Sequence, residues 1–263
     1  MAVAAEAALQ AGAIQKARYG QHLEIRHKGA IDLVTDVDHA CEAAILATIK
    51  GRFPDHDVVA EETPAERRGS RYVWFVDPLD GTVNYAHGYP FFSASVAVAV
   101  DGRVLAGAVY DPIKEELFTA ERGAGAHLNG RPLHVSAADE LIKSLLVTGF
   151  PYDLRDDVDK KIRLFRRFMG EAQGIRRDGS AALDLCYLAA GRIDGFWEER
   201  LHMWDMAAGN LMVEEAGGRV SRFDGTSLGL RADEIVASNG ALHEAMLEVL
   251  RADREALVAE GRP

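Results

Sequence analysis

The chain has 263 residues and a mass of 28.6 kDa, with 48% hydrophobic and 27% charged residues. That is the balance of an ordinary globular protein, long enough to bury a sizeable core. Lys and Arg number 30 against 41 Asp and Glu, a formal charge of −11. Such an excess repels nucleic-acid phosphates and acidic membrane surfaces, so neither is an expected partner. It would repel a small anionic substrate too, unless a bound cation reversed the field locally. Cys41 and Cys186 are too few for a disulfide framework and too far apart for a zinc pair, so both are expected as buried small apolar residues. The first ten residues lack the basic start and apolar run of a secretory signal, and no stretch approaches the roughly 20 apolar residues that cross a bilayer. A cytoplasmic protein is expected.

No repeat, low-complexity tract or linker divides the chain. A first helix places Val3, Ala7, Gln10 and Ile14 on one face and stops at Gly20. A second spans about Asp36 to Lys50, with Val37, Cys41, Ile45 and Ile49 at every fourth position. Asp57 to Ala60 reads as a strand, and Arg71 to Val76 as a buried one. From Phe92 to Val100 larger side chains alternate with Ser93, Ser95, Ala97 and Ala99. Asp101-Gly102 is a hairpin turn into a return strand, Val104 to Tyr110. Glu116–Ala120 and Ala126–Leu128 continue the meander up to a second turn, Asn129-Gly130.

Beyond it, Ser144–Thr148 is strand-like, and Val158, Ile162, Phe165 and Met169 have helix spacing. Ser180–Ala190 is a helix stopped by Gly191, Ile193–Glu198 a strand, and Trp204–Ala216 a helix ended by Gly217-Gly218. Strands at Arg219–Phe223 and Ile235–Ser238 precede a terminal helix, Leu242–Ala259. Interleaved strands and helices imply a mixed α/β layered fold.

The most informative segment is Asp77-Pro-Leu-Asp-Gly-Thr82, at the end of the strand closing on Val76. Two carboxylates and a backbone carbonyl within six residues are the oxygen donors that hard divalent cations prefer. Pro78 favours a bend, Gly81 admits close approach of a ligand, and Thr82 adds a hydroxyl at a helix start, where free N–H groups attract phosphate. Alone, the hexapeptide also fits a surface turn. Glu61-Glu62 follows another strand end, and Trp204-Asp205 opens a helix of small residues; each alone fits a solvated loop or a helix cap.

Together, Glu61-Glu62, Asp77 to Thr82 and Trp204-Asp-Met-Ala-Ala-Gly209 closely resemble the inositol monophosphatase family of magnesium-dependent phosphatases. Asp32-Leu-Val-Thr-Asp-Val-Asp38 is similar to the family's early acidic element, and Asn84 to Phe92 to the segment after its metal motif. Gly179-Ser-Ala-Ala182 is similar to its substrate loop, and Glu198 precedes Asp205 at its spacing. The resemblance implies a layered αβαβα sandwich of the inositol monophosphatase and fructose-1,6-bisphosphatase type. It implies one domain, 1–263, with a metal-binding half to about 143 and a substrate half from about 144.

It further implies that Glu61, Asp77 and the Leu79 carbonyl hold a first Mg²⁺, and Asp77, Asp80 and Asp205 a second. A third, weaker ion would sit near Glu61 and Asp38. Glu61 and Thr82 would orient and deprotonate the attacking water. Gly81 and Thr82 would bind phosphate, and Gly179, Ser180, Ala181, Glu198 and Asp205 the organic half of a small phosphorylated substrate. A homodimer is the implied assembly. Inositol monophosphate is the expected ester; the same motifs serve relatives acting on histidinol phosphate, fructose 1,6-bisphosphate or 3′-phosphoadenosine nucleotides. A rival of another class is a regulatory protein-binding module on this fold. Elsewhere, Glu62 reads as a solvated side chain or a partner supporting the site, His87 and His202 as packed or solvated, Arg163, Arg166 and Arg167 as a solvated basic face, and Trp74, Trp197 and Trp204 as core. Arg176-Arg177 could meet substrate or a partner subunit.

Overall fold

The computed structural model describes residues 1–27, 33–65, 67–150, 158–230 and 233–259. Asp32, the first acid of the early acidic element, lies outside the described residues. Helices α1 (Ala2–Arg18) and α2 (Asp36–Arg52) flank an antiparallel hairpin of β1 (Ile25–His27) and β2 (Leu33–Thr35). Seven strands follow in one sheet and in chain order: β3 (Asp57–Ala60), β4 (Tyr72–Asp80), β5 (Ser93–Val100), β6 (Arg103–Asp111), β7 (Glu116–Glu121), β8 (Gly125–Leu128) and β9 (Arg131–Pro132). Within this sheet, among the described residues, only β3 and β4 pair in parallel. A short helix, α3 (Thr82–Ala86), links β4 to β5. Both hairpin turns sit where the sequence puts them, with positive φ at Asp101-Gly102 and at Asn129-Gly130.

The second sheet has five strands, β10 (Leu145–Thr148), β11 (Gly174–Arg176), β12 (Gly195–Glu199), β13 (Arg219–Ser221) and β14 (Glu234–Ser238), in the order β11-β10-β12-β14-β13. Helices α4 (Val158–Glu171), α5 (Ala181–Ala189), α6 (Met203–Glu215) and α7 (His243–Ala259) complete the chain. Three apolar clusters glue the layers. One joins α1 and α2 to the seven-stranded sheet. A second joins that sheet to the five-stranded one through α5 and α6. A third joins the five-stranded sheet to α4 and α7. The αβαβα sandwich is thus realised layer by layer.

The alternation of β5 sets the spacing. Ala94, Val96 and Val98 face α1 and α2, while Ala97 and Ala99 face the inner helices. Small residues on the inner side let α6 lie almost on the sheet. A Cβ built on Gly107 of β6 would come within 2.9 Å of the Cα of Ala208, and one on Gly209 within 2.5 Å of the Cβ of Leu185 on α5. The Ala-Ala-Gly run of α6 is therefore a packing device as much as a motif. Cys41 and Cys186 are buried and free.

Two expected faces are wrong. Helix α1 buries Val3, Ala4, Ala7, Ala8, Ala11, Gly12 and Gln15, leaving Gln10 exposed and Ile14 half-buried. Its small residues permit close approach, and the Tyr110 ring fills the space beside Gly12. Helix α4 exposes Val158, Ile162 and Met169 and buries Leu164 and Phe168. That face wins because Phe168 stacks on Trp197 at 4.0 Å and because Arg163 and Arg167 reach Asp253 of α7. Two of the three arginines read as solvated are thus paired. Strand β11 and the β1–β2 hairpin were not expected, being short and without clear alternation. No helix among the described residues is long and apolar enough to cross a membrane.

Candidate active site

Strand β4 does not stop at Val76; it continues through the acidic motif to Asp80. It accommodates Pro78 by a bulge, since Asp77 pairs with Ser95 while Asp80 pairs with Ser93. Asp77 is buried, and its Oδ1 accepts the Leu79 N–H at 3.0 Å. The Leu79 side chain is locked in the outer core, so its carbonyl is held by a fixed residue. Thr82 Oγ1 lies 2.9 Å from that carbonyl oxygen and 3.1 Å from Asp38 Oδ1, both acceptors for its proton. Gly81 has φ +92°, and a Cβ there would meet Phe91 O at 2.9 Å and Gly179 O at 3.3 Å. Only glycine lets the acidic motif close against the loop that carries Gly179.

Helix α2 brings two buried acids to the same place. Its N-cap is Thr35, and Asp38 completes a capping box by accepting the Thr35 N–H at 2.9 Å on Oδ2. That leaves Asp38 Oδ1 for Thr82. One turn on, Glu42 accepts the Glu62 N–H at 2.9 Å and the Thr63 hydroxyl. Glu61, whose own N–H extends the β3–β4 ladder to Val76 O at 3.2 Å, therefore leaves its strand on a tethered loop. Glu62, expected as a solvated side chain or a supporting partner of the site, anchors this loop through its backbone N–H.

The other half contributes Asp80's partners, Asp205 and Glu198. Asp80 Oδ2 accepts Ser180 Oγ at 2.5 Å and the Ala182 N–H at 2.8 Å. Ser180 stands at the N-cap of α5 but does not cap it with its side chain; Asp80 supplies that hydrogen bond from the opposite sheet. Asp205 sits in the first turn of α6 and accepts the His202 N–H at 2.6 Å. Trp204 is only half-buried and stacks on the exposed His202 at 4.3 Å, unlike Trp74 and Trp197, which are core. Glu198, nearly buried at the end of β12, fills the space over Gly149: a Cβ there would lie 2.1 Å from both its carboxylate oxygens. Asn84 donates to Asp178 O and Phe91 O at 2.8 Å each, stitching the segment after the acidic motif to the loop of Gly179, Ser180 and Ala181. His87 is exposed, and among the described residues Arg177 donates to the Phe150 carbonyl, at 3.5 Å.

The electrostatics tie four acids into one neighbourhood. Burial raises the Asp77 carboxyl well above the usual carboxylate range, and Glu61, Asp80 and Asp205 raise it further. Burial pushes Asp80 up to about 7; the Ser180 hydrogen bond opposes this and Asp205 adds to it. Asp205 in turn raises His202 through their contact. Among the described residues no three acidic, imidazole or thiol side chains converge as a closed metal cage. Asp80 and Asp205 each turn one oxygen to a helix amide instead. The donor set still fits a hard divalent cation: every candidate ligand is a carboxylate or carbonyl oxygen, and a cation beside Asp77 and Asp80 would favour the ionised forms that burial disfavours.

Glu42 and Gly149 escaped the sequence reading. Neither belongs to a motif, and each acts on a residue at least 20 positions away.

The profile of the inositol monophosphatase family matches residues 1–255. The chain belongs to that family. An inositol-1-monophosphatase of Synechocystis is 44% identical over 252 residues, 95% of this chain and 88% of the relative. A Nus factor SuhB of Pseudomonas aeruginosa is 45% identical over 234 residues, 87% of this chain and 86% of the relative. Among solved structures, the extragenic suppressor protein suhB of Bartonella henselae superposes with a TM-score of 0.91 at 41% identity, covering 95% of this chain and 97% of that one. An inositol monophosphatase from Anabaena gives 0.88 at 42%, covering 96% and 95%. Membership of this family makes the chain a phosphomonoester hydrolase acting on small phosphorylated molecules.

Proposed function

We propose that the chain hydrolyses myo-inositol monophosphate to inositol and phosphate with two or three Mg²⁺ ions. The observation that carries this is the buried Asp77 with Glu61, Asp80 and Asp205 around it, a crowd of acids whose mutual repulsion a divalent cation would relieve. In this reading Glu61, Asp77 and Leu79 O would hold one ion, Asp77, Asp80 and Asp205 another, and Glu61 with Asp38 a third. Bound magnesium supplies the positive field that draws in the phosphate and makes water more acidic. Thr82 hydrogen-bonds through its hydroxyl proton to Asp38 or Leu79 O, which leaves its oxygen free to accept a hydrogen bond from the attacking water; Glu61 orients that water from the other side and takes up the proton it loses. Backbone N–H groups of Gly81 and Thr82 hold phosphate oxygens. Glu198 and Asp205 accept inositol hydroxyls, with Gly179, Ser180 and Ala181 against the ring. A cytoplasmic homodimer of single-domain subunits completes the proposal.

Asp77→Asn should abolish magnesium-dependent phosphate release with the fold intact; a fully active variant rules the assignment out. The substrate is tested on purified protein with inositol 1-phosphate, histidinol phosphate, fructose 1,6-bisphosphate and adenosine 3′,5′-bisphosphate, with and without Mg²⁺. The expected result is highest kcat/KM on inositol 1-phosphate. The second reading, a regulatory protein-binding role, draws support from the name of the Pseudomonas relative. Turnover of none of the four esters would favour it.

A further inference from the structure

Helix α1 reaches the acidic motif from behind. Gln15 is fully buried on the face of α1 that meets the seven-stranded sheet. Its single amide nitrogen donates to Pro78 O at 2.8 Å and to Ser93 O at 3.1 Å. These two carbonyls flank the bulge, one on each strand, because Ser93 is the residue that Asp80 faces once the register has shifted. Pro78 has no N–H, so the ladder is broken here and its neighbouring carbonyls need donors from elsewhere. An amide offers two hydrogens, and Gln15 has one for each carbonyl. The opposite amide orientation would press an oxygen against two carbonyl oxygens, so the donor assignment is chemically determined. The helix is pinned at this level: Tyr85 OH donates to Gln15 O at 2.8 Å, and Gly12 one turn earlier lies against the Tyr110 ring.

We propose that Gln15 is a positioning residue for the acidic motif. By tying both sides of the bulge to α1, it holds the Asp77–Asp80 backbone so that the Leu79 carbonyl and the two carboxylates present one oxygen surface. It touches neither substrate nor any reacting atom. The inference rests on the reading that this motif binds magnesium. A residue that merely filled space there could be replaced by any side chain of equal volume; a positioning residue could not.

The test uses the full chain. Gln15→Met keeps the length and removes the donor. Ala8→Gly, on the same buried helix face but away from the bulge, is the control for simple destabilisation. Melting is followed in EDTA, Mg²⁺ affinity by calorimetry, and ester hydrolysis as a function of Mg²⁺. Loss of a buried hydrogen bond shifts an equilibrium by roughly fivefold, so Gln15→Met should weaken Mg²⁺ binding by about that factor. It should raise the Mg²⁺ needed for half-maximal rate to match and keep kcat at saturating Mg²⁺ within about twofold. Ala8→Gly should lower the melting temperature and leave Mg²⁺ affinity unchanged. Wild-type affinity in folded Gln15→Met overturns the proposal, as does an equal loss of affinity in Ala8→Gly. Should Gln15→Met not fold, Gln15→Asn withdraws the amide by one methylene; an intermediate loss is expected, and wild-type affinity overturns the proposal. If wild-type protein itself binds no Mg²⁺, the metal reading fails and this inference with it, an outcome distinct from the others.

Discussion

Gly107 is the sharpest test of how the inner helix positions Asp205. In Gly107→Ala the new methyl would stand 2.9 Å from the Cα and 3.0 Å from the Cβ of Ala208. Neither atom belongs to a flexible chain end, so α6 must move away from the sheet by a few tenths of an ångström. Overpacking of this kind costs about 1–3 kcal/mol, which for a chain of this size is a fall of roughly 3–9 °C in Tm. Asp205 lies three residues before Ala208 in the same rigid helix and must move with it. A 1 Å error in a catalytic group costs about 100-fold, so a shift of tenths of an ångström should lower kcat/KM on the order of tenfold. Adding Ala208→Gly removes the 3.0 Å contact but not the 2.9 Å one, and it places a glycine in a helix interior at about 1 kcal/mol. The double variant should therefore regain part of its activity without regaining stability. Differential scanning fluorimetry and steady-state phosphate release measure the two quantities. A Gly107→Ala protein with wild-type Tm and kcat/KM would refute this account of the layer spacing.

Three further outcomes are expected. His243 is buried between Ser221 Oγ at 2.9 Å and Ser238 Oγ at 3.0 Å, and burial, helped by Arg219, lowers its pKa to about 4. The unfolded chain, with a histidine near 6.5, binds a proton that the folded one refuses, so stability falls as pH drops from about 6.5 towards 4, by about 3 kcal/mol in full; urea melts should show a shallower acid loss in His243→Gln, and equal acid lability would contradict this. Asp253 takes Arg167 Nε at 2.8 Å and Arg163 Nη2 at 3.0 Å, so Asp253→Ala should cost about 1–3 kcal/mol with kcat unchanged; a loss within a few tenths of a kcal/mol would show the pairs to be idle. Ser180→Ala removes the hydrogen bond that opposes the rise of Asp80. Because a carboxyl must lose its proton to bind metal, Mg²⁺ affinity by calorimetry should fall near pH 7 and recover by about pH 8.5, whereas a pH-independent loss would point to geometry instead.

The parts legible in the sequence were those whose chemistry is local. The α2 stripe of Val37, Cys41, Ile45 and Ile49, the two hairpin turns and the small-large alternation of β5 each involve neighbours along the chain, and all appear as expected. The acids at strand ends were likewise visible because each lies inside a short motif. What the sequence hid depends on partners far away. Glu42 looks like any surface acid until Glu62 and Thr63 come to it, and Gly149 like any loop glycine until Glu198 occupies its missing side chain. Ser180, singled out as a substrate-loop residue, stands at the start of a helix, yet its hydroxyl goes to Asp80 and that carboxylate takes over the capping. On α4 two apolar stripes compete, and spacing alone cannot say that Phe168 will find Trp197. Strand β4 overran its expected end because a proline tolerated at a bulge looks, in sequence, like a stop.

The same hydrogen bonds explain how a protein of charge −11 can fold around a cluster of acids at all. Asp38 lies in the first turn of α2, Asp205 in the first turn of α6, and Asp80 reaches across to the first turn of α5. Each sets an oxygen on a backbone N–H at a helix start, where the aligned peptide dipoles favour negative charge by about 0.3–1 kcal/mol at exposed sites and up to about 2 kcal/mol when partly buried. Three helix starts aimed at one region thus offset part of the repulsion before any cation arrives. Asp77 has no such terminus: its oxygen takes the amide of Leu79, within the bulged end of β4. It is the acid driven well above the usual range, with three like charges contributing. The helices therefore stabilise the rim of the site and leave its centre short of positive charge. That unevenness favours a small divalent ion at Asp77 over a basic side chain, since an ion can meet several carboxylates from one point without displacing the helix starts that hold them.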